Sequence, residues 1–372
     1  MPDPKTIAQI AVNGTKYAGW ETVEVSRAVN EMAVTGFKFT ATEGDSYSSW
    51  AALKIKPGDK CQIILGGKMA LTAGKVEVRQ ASYTNKAHGL LLAGRSYGGD
   101  VVDSSVDAKS GQFKNSTYEQ ICRSVVRPHS VRFRVDNQPD GNGQFRLVNV
   151  QFGETCWELI ERLTRQVNLH LREESDGTLV AFSGTAGSAG GLVEGRNILS
   201  GFCEIDYTGQ FGRNTAVSQA PGSDQAWGEK ARNVDATQLN PNAGANRLNK
   251  FLAEEPGDQQ SMKRRVQREV DEQIGTSTTV RVTVPGWFNG SDLWLDQLAH
   301  SITVDSPMLF PGPNGRMNLA IRAVSSTQGP EGTLTTLELC LPQHLGAARP
   351  TNVGAPNDSP FSATPNPVSY EA

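Results

Sequence analysis

The run Ile55-Lys-Pro-Gly-Asp-Lys-Cys-Gln-Ile-Ile-Leu-Gly-Gly-Lys68 decides the fold class of this chain. Lys56-Pro57-Gly58-Asp59 and Leu65-Gly66-Gly67-Lys68 are turn sequences, because proline presets one turn angle and glycine accepts the positive φ that other residues resist. Between them Ile63 and Leu65 stand two apart, the spacing that puts side chains on one face of a strand. The same period runs outward on both sides, through Val23 and Val25, Phe37 and Phe39, Val76 and Val78, then Leu90 and Leu92. Upstream, Asn13-Gly14 is a hairpin signal. Residues 6–96 therefore read as six short strands, each with one apolar face. Such a set is expected to close into a small barrel, since closure removes exposed edges.

The whole chain has 372 residues, room for two or three domains at about 150 residues each. Hydrophobic residues make up 37% and charged residues 20%, enough apolar content for real cores, and 38 glycines favour turns over long helices. The formal charge is 36 − 39 = −3, which argues against a net-basic polyanion binder. The opening Met-Pro-Asp-Pro-Lys lacks a secretory pattern, and no apolar run reaches the roughly 18–20 residues of a spanning helix, so no membrane insertion is expected. Five scattered cysteines without a CxxC suit free buried thiols in a reducing compartment.

Past residue 97 the pattern changes. Ser116-Thr-Tyr-Glu119 and Thr155-Cys-Trp-Glu158 have capping-box form, and each is expected to open a helix. Strand-like stretches near 131–135, 145–151, 169–171 and 179–182 complete a small α/β domain over 98–185. Gly184 to Gly191 reads as a flexible connector. Strand patterns return at 192–220 and 276–342, the second β-barrel domain, interrupted by a loop and helix excursion over 221–275. The 59–94 and 292–341 blocks echo one another as strand, turn, strand, turn, strand. The expected fold is thus mainly β with an α+β insertion: a first barrel over 1–97, the α/β domain, the excursion, the second barrel, and a disordered tail over 343–372 rich in Pro, Asn and Ser.

Chemical sites are sparse. Gly94-Arg95-Ser96-Tyr97-Gly98 fits the pentapeptide of a nucleophile elbow, but Gly99-Asp100-Val101 is a poor helix opening, so a strand-end turn is expected. The five histidines are dispersed, without metal-ligand spacing, and read as surface or loop residues. Glu154 and Glu158 sit where a helix N-terminus favours negative charge. No catalytic residue, metal site or cofactor is expected. Lys263-Arg264-Arg265 with Arg268 is the one dense basic cluster, and Glu269, Asp271 and Glu272 follow it, so a solvated or inter-subunit face is expected. Met262, Val266, Val270 and Ile274 form a narrow apolar stripe on the same helix, expected to lie across a neighbouring element. Trp287 and Trp294 are candidate anchors of core or interface. The interface candidates are accordingly Trp287, Trp294, Val266, Val270, Ile274, Arg264 and Arg268.

The order of these pieces resembles the Mu-like phage tail protein P family, the baseplate hub of contractile tails. The resemblance rests on Ile10-Ala-Val-Asn-Gly14, Trp20-Glu-Thr-Val-Glu-Val-Ser-Arg27, Ile55-Lys-Pro-Gly-Asp-Lys60 and Ala93-Gly-Arg-Ser96 running to Asp100-Val-Val-Asp103. It continues through Phe152-Gly-Glu-Thr-Cys-Trp-Glu-Leu-Ile-Glu-Arg162, Val284-Pro-Gly-Trp287 and Ser306-Pro307-Met308, and covers about residues 5–342. It implies a structural protein and not an enzyme, a homotrimer related to the T4 baseplate hub, with two similar barrels per chain. Its implied partners are a central spike protein and the tail tube and baseplate wedge proteins. The tape-measure protein and DNA would pass through its lumen without specific binding. Its implied place is the virion tail baseplate, assembled in the host cytoplasm. Two alternatives stand beside this: a peptidoglycan-binding module, since Phe152–Phe182 is similar to LysM-type units, and a muralytic or Ser96-dependent tail enzyme.

Overall fold

The computed structural model describes every residue except 1–3, 31–32, 44–53, 86, 109–110, 138–142, 219–233, 245, 311–314 and 348–372. Trp50, Trp227 and nearly all of the tail therefore lie outside the described residues.

The first unit has seven strands: β1 (Ala8–Val12), β2 (Thr15–Tyr17), β3 (Thr22–Ala28), β4 (Gly36–Glu43), β5 (Lys60–Leu65), β6 (Lys68–Tyr83) and β7 (His88–Ser96). Asn13 and Gly14 both take positive φ, 50° and 83°, and join β1 to β2 as the Asn-Gly pair required. Inward residues at alternate positions, including Val23, Val25, Phe37, Phe39 and Leu92, are buried.

The α/β part follows as α1 (Gly98–Asp103), β8 (Gln112–Thr117), α2 (Tyr118–Val126), β9 (Phe133–Val135), β10 (Gln144–Asn149), α3 (Cys156–Gln166), β11 (His170–Glu173) and β12 (Leu179–Phe182). The capping box of α3 is Thr155 with Glu158, as read. That of α2 lies one residue later than read, on Thr117 with Gln120, which lets Tyr118 and Ile121 both turn inward. Trp157, Ile160 and Leu163 join a separate core with Tyr118, Phe133 and Leu171.

The remainder comprises β13 (Ser188–Val193), β14 (Ser200–Ile205), β15 (Arg213–Ser218), β16 (Val234–Leu239), β17 (Leu248–Leu252), α4 (Gln259–Thr276), β18 (Thr278–Pro285), β19 (Phe288–Asn289), β20 (Asp292–Leu293), β21 (Ser301–Asp305), β22 (Arg316–Gly329) and β23 (Gly332–Cys340). Two local readings change here. Half of the supposed connector 184–191 is in β13, which pairs with β21 and so orders its glycines. Part of the excursion is a three-stranded sheet, β16-β15-β17, covered on one side by α4, and β15 belongs to it by pairing.

The two β units share one sheet of 13 strands, with main path β14-β18-β23-β22-β3-β4-β7-β6-β5-β1-β2. The mainly β class with an α+β insertion is as read, but no ladder among the described residues closes either unit into a ring. The reason is that β3 gives its free edge to β22, from Ala28 opposite Ala323 to Val23 opposite Gln328. Pairing between units thus removes the edge that closure would have removed. The echo is physical: each unit carries a long central strand, 16 residues in β6 and 14 in β22, each with a register shift, at Val76/Val78 and Ile321/Ala323.

Candidate functional site

The residues chosen as interface candidates lie mostly inside the chain. Val266 and Met262 pack with Ala216 and Ala236 of the three-stranded sheet and with Ala253 just past β17, whereas Val270 and Ile274 enter the main core. The narrow stripe is therefore covered by two different elements of the same molecule, which is why it did not need to be wide. Trp287 is 1% exposed and donates from Nε1 to the Thr327 carbonyl at 2.9 Å, and Trp294 is also buried. Of the two roles read for them, core or interface anchor, the core one is seen within this chain.

The basic cluster is corrected in the same way. Arg265 is buried, paired with Glu254 at 2.8 Å and Glu269 at 3.1 Å, and lies over the Phe251 ring at 4.5 Å. Arg268 is buried as well. It pairs with Glu272 at 2.8 Å and donates to the Leu169 carbonyl of the α/β part. Arg264, half-buried, donates to Ser261 Oγ at 3.3 Å. The acidic residues that cancel the charge in sequence do so in space, and the helix face they form is an internal joint, not a solvated one.

Three buried polar joints carry no sequence signature. Arg27 on β3 donates to Thr35 Oγ1 at 2.9 Å, the Ala70 carbonyl at 2.8 Å and the Leu295 carbonyl at 3.2 Å, with Asp296 at 3.6 Å. Nearby Glu173 of β11 accepts from the Thr35 N–H at 2.6 Å. Burial raises the Glu173 carboxyl and lowers the Arg27 guanidinium, each opposed by the charge of the other. The second joint is Arg162 of α3, buried between Glu154 and Glu255 and donating to the Asn149 carbonyl at 2.7 Å. Glu154 is thus a buried partner, not only a helix-end charge. The third holds His170 and His344, read as surface histidines but buried side by side with ring centroids 6.2 Å apart. In each case residues more than 70 positions apart meet, and no local pattern encodes that.

Other expected chemistry is readily placed. Helix α1 does start two residues after Ser96, so the strand–turn–helix path rejected from sequence exists. The Ser96 side chain is nevertheless buried, whereas an elbow presents its hydroxyl at the surface. Among the described residues no three His, Cys, Asp or Glu side chains gather as for a metal. All five thiols are free, and burial pushes Cys61 and Cys340 up to about 12. No described helix is long and apolar enough to cross a membrane.

What the molecule offers outward is sheet edge. Among the described residues strand β14 pairs only with β18, and it carries no Lys, Pro or bulge to guard it. Phe202 is 51% and neighbouring Leu199 59% exposed. Leu309 packs over Gly201, leaving Met308 81% exposed beside it. At the far side, β5 pairs with β6 from Leu65–Lys68 to Lys60–Lys75, so residues 77–83 have β7 on one side and no described strand on the other.

A long sheet of two echoing β units with an α/β insertion is the fold of phage tail proteins. The 43 kDa tail protein of prophage MuSo2 from Shewanella oneidensis superposes with a TM-score of 0.76 at 23% identity, over 92% of this chain and 100% of that one. A component of the E. coli type VI secretion system, described as structurally similar to T4 tail proteins gp27 and gp5, shares the fold at a TM-score of 0.55 and 12% identity, over 92% of this chain and 79% of that one. More narrowly, residues 7–96 match the N-terminal domain of Mu phage baseplate assembly protein GpP-like proteins, and residues 98–182 the second domain of baseplate hub protein gp44-like proteins. Baseplate hub protein gp44 of Escherichia phage Mu is 24% identical over 308 residues, 80% of this chain and 78% of the relative. Two adjacent segments of this chain thus match domains of Mu-like baseplate hub proteins, and most of its length is similar to the phage Mu hub protein.

Proposed function

We propose that three copies of this chain assemble into a ring at the centre of a contractile-tail baseplate, joining a six-fold tail tube to a three-fold central spike. The observation that carries this reading is the open long sheet, whose described strands leave unlike stretches of edge free, β14 at one end of the path and the outer half of β6 towards the β2 end. Unlike edges favour head-to-tail contacts, which close into a ring when the rotation per copy allows it. Two similar units per chain would present six to the tube. A ring that transmits thrust needs obligate contacts, commonly above about 2,000 Å², and the apolar surface at Phe202, Leu199 and Met308 supports one.

The wet face of the sheet supports an open passage. Glu24 stands directly opposite Lys38 and Arg281 opposite Glu338, with Ser26, Ser325 and Thr336 between them. Charges neutralised in place give a polyanion little to hold, so DNA and a tape-measure protein would pass without specific binding. No bond is made or broken in this reading, and zymography on peptidoglycan is expected to show no clearing.

Light scattering at micromolar concentration is expected to give a trimer, and Leu199→Asp with Phe202→Asp to give monomer. Wild-type monomer that no spike protein converts to trimer would sink the reading. Phe152, fully exposed just before α3, favours a second role, peptidoglycan binding by residues 152–182; retention on purified peptidoglycan that is lost in Phe152→Ala would establish it.

A further inference from the structure

We propose that the 3-10 turn Pro342–Leu345, which sets His344 against His170 of the α/β part, is a latch that opens in acid. The turn is deeply seated. Any side chain at Gly275 of α4 would strike the His344 backbone, the Gly184 N–H donates to the Leu345 carbonyl, and Ser183 Oγ donates to the Gly346 carbonyl at 3.4 Å. It thereby ties the end of α4 and the end of β12 to one another.

Hydrogen bonding requires a neutral His170, and no hydrogen bond satisfies a proton on His344 Nδ1. Asn30 accepts from the Leu171 N–H through Oδ1 at 3.0 Å, which turns its Nδ2 donor toward His170 Nδ1, also at 3.0 Å. His170 Nδ1 must therefore accept, and its single proton lies on Nε2. Protonating Nδ1 would set donor against donor and break the Asn30 bond. His344 Nδ1 is buried without a hydrogen-bond partner, so a proton placed there would be an unsatisfied buried donor.

The surrounding charges offer little relief. Arg268 and Glu272 face the pair from α4, Arg322 from β22 and Glu338 from β23. Glu272 is already bonded to Arg268, and Glu338 to Arg322. Burial, with Arg268 beside it, holds His170 well below its ordinary value, and burial takes His344 down to about 4. A folded value below the free one means that the released state takes up protons first, so opening becomes easier as pH falls below about 6.5 and is unaffected above it. Each ring contributes about tenfold at pH 5.5, and the pair about 100-fold.

Hydrogen exchange on the full chain at pH 7.5 and 5.5, corrected for intrinsic rates, tests this directly. Peptides covering 183–186 and 341–347 should lose about 100-fold of their protection, while β3 and β4 keep theirs. His344→Gln and His170→Gln should each remove about tenfold of that response. Equal protection at both pH values, a loss shared equally by β3 and β4, or an unchanged response in both variants would overturn the latch. If a variant does not fold, the wild-type comparison decides alone.

Discussion

The long sheet and the joint between α3 and α4 hold the chain by opposite means. Across the β3–β22 seam the two β units share a backbone ladder over one apolar core, with Val25, Phe39, Val324 and Leu339 all buried. Where α3 meets the segment before α4, the contact is built from charges: Arg162 with Glu154 and Glu255, Arg165 with Glu254 at 3.3 Å, and Arg265 with the same Glu254. Apolar packing tolerates imperfect partners, because its energy is spread over many small contacts. A buried ion pair does not, since each group that loses its partner keeps its desolvation cost.

That contrast can be broken at its charged side first. Arg162→Met should cost about 4 kcal/mol, because it leaves two buried carboxylates unpaired. Chemical denaturation would measure it. Replacing Glu154 and Glu255 with Leu in the same background should recover most of the loss. If the triple variant stays as unstable as the single one, the joint depends on shape and not on charge. On the apolar side, Leu339→Ala should cost about 3 kcal/mol through the cavity it leaves between β18 and β22. No partner substitution should restore it, which separates the two kinds of contact in the same assay. The smallest effect belongs to Thr155→Ala, about 1 kcal/mol, because the capping box of α3 would lose its hydroxyl while the helix stays packed. A loss well above that would mean that the start of α3 also organises the Glu154–Arg162 pair.

Much of the local structure was legible. Asn13-Gly14, Thr155 to Glu158 and the paired valines and leucines each name a conformation within a few residues, because turns, caps and strand faces are decided by neighbours in the chain. The excursion was harder. Its strands β16 and β17 carry leucines on the solvent face, at Leu239, Leu248 and Leu252, so the period-2 signal points the wrong way. The candidate interface residues turn inward for a related reason. Stripe width and charge density describe a helix alone, whereas Val266 and Ile274 are covered by two separate elements that the pattern cannot contain.

Sequence alone was enough for the β class, the placing of the α/β insertion, the capped helix α3 and the likeness to tail-hub proteins, since each depends on short-range geometry or on the order of segments. Only tertiary structure decided that the two β units join through β3 and β22 instead of closing, that Arg27, Arg162 and Arg268 serve as internal joints, and that His170 meets His344. Those outcomes depend on which distant groups become desolvated together, and the cost of burying a charge or an unpaired edge is set by the partner that arrives to meet it.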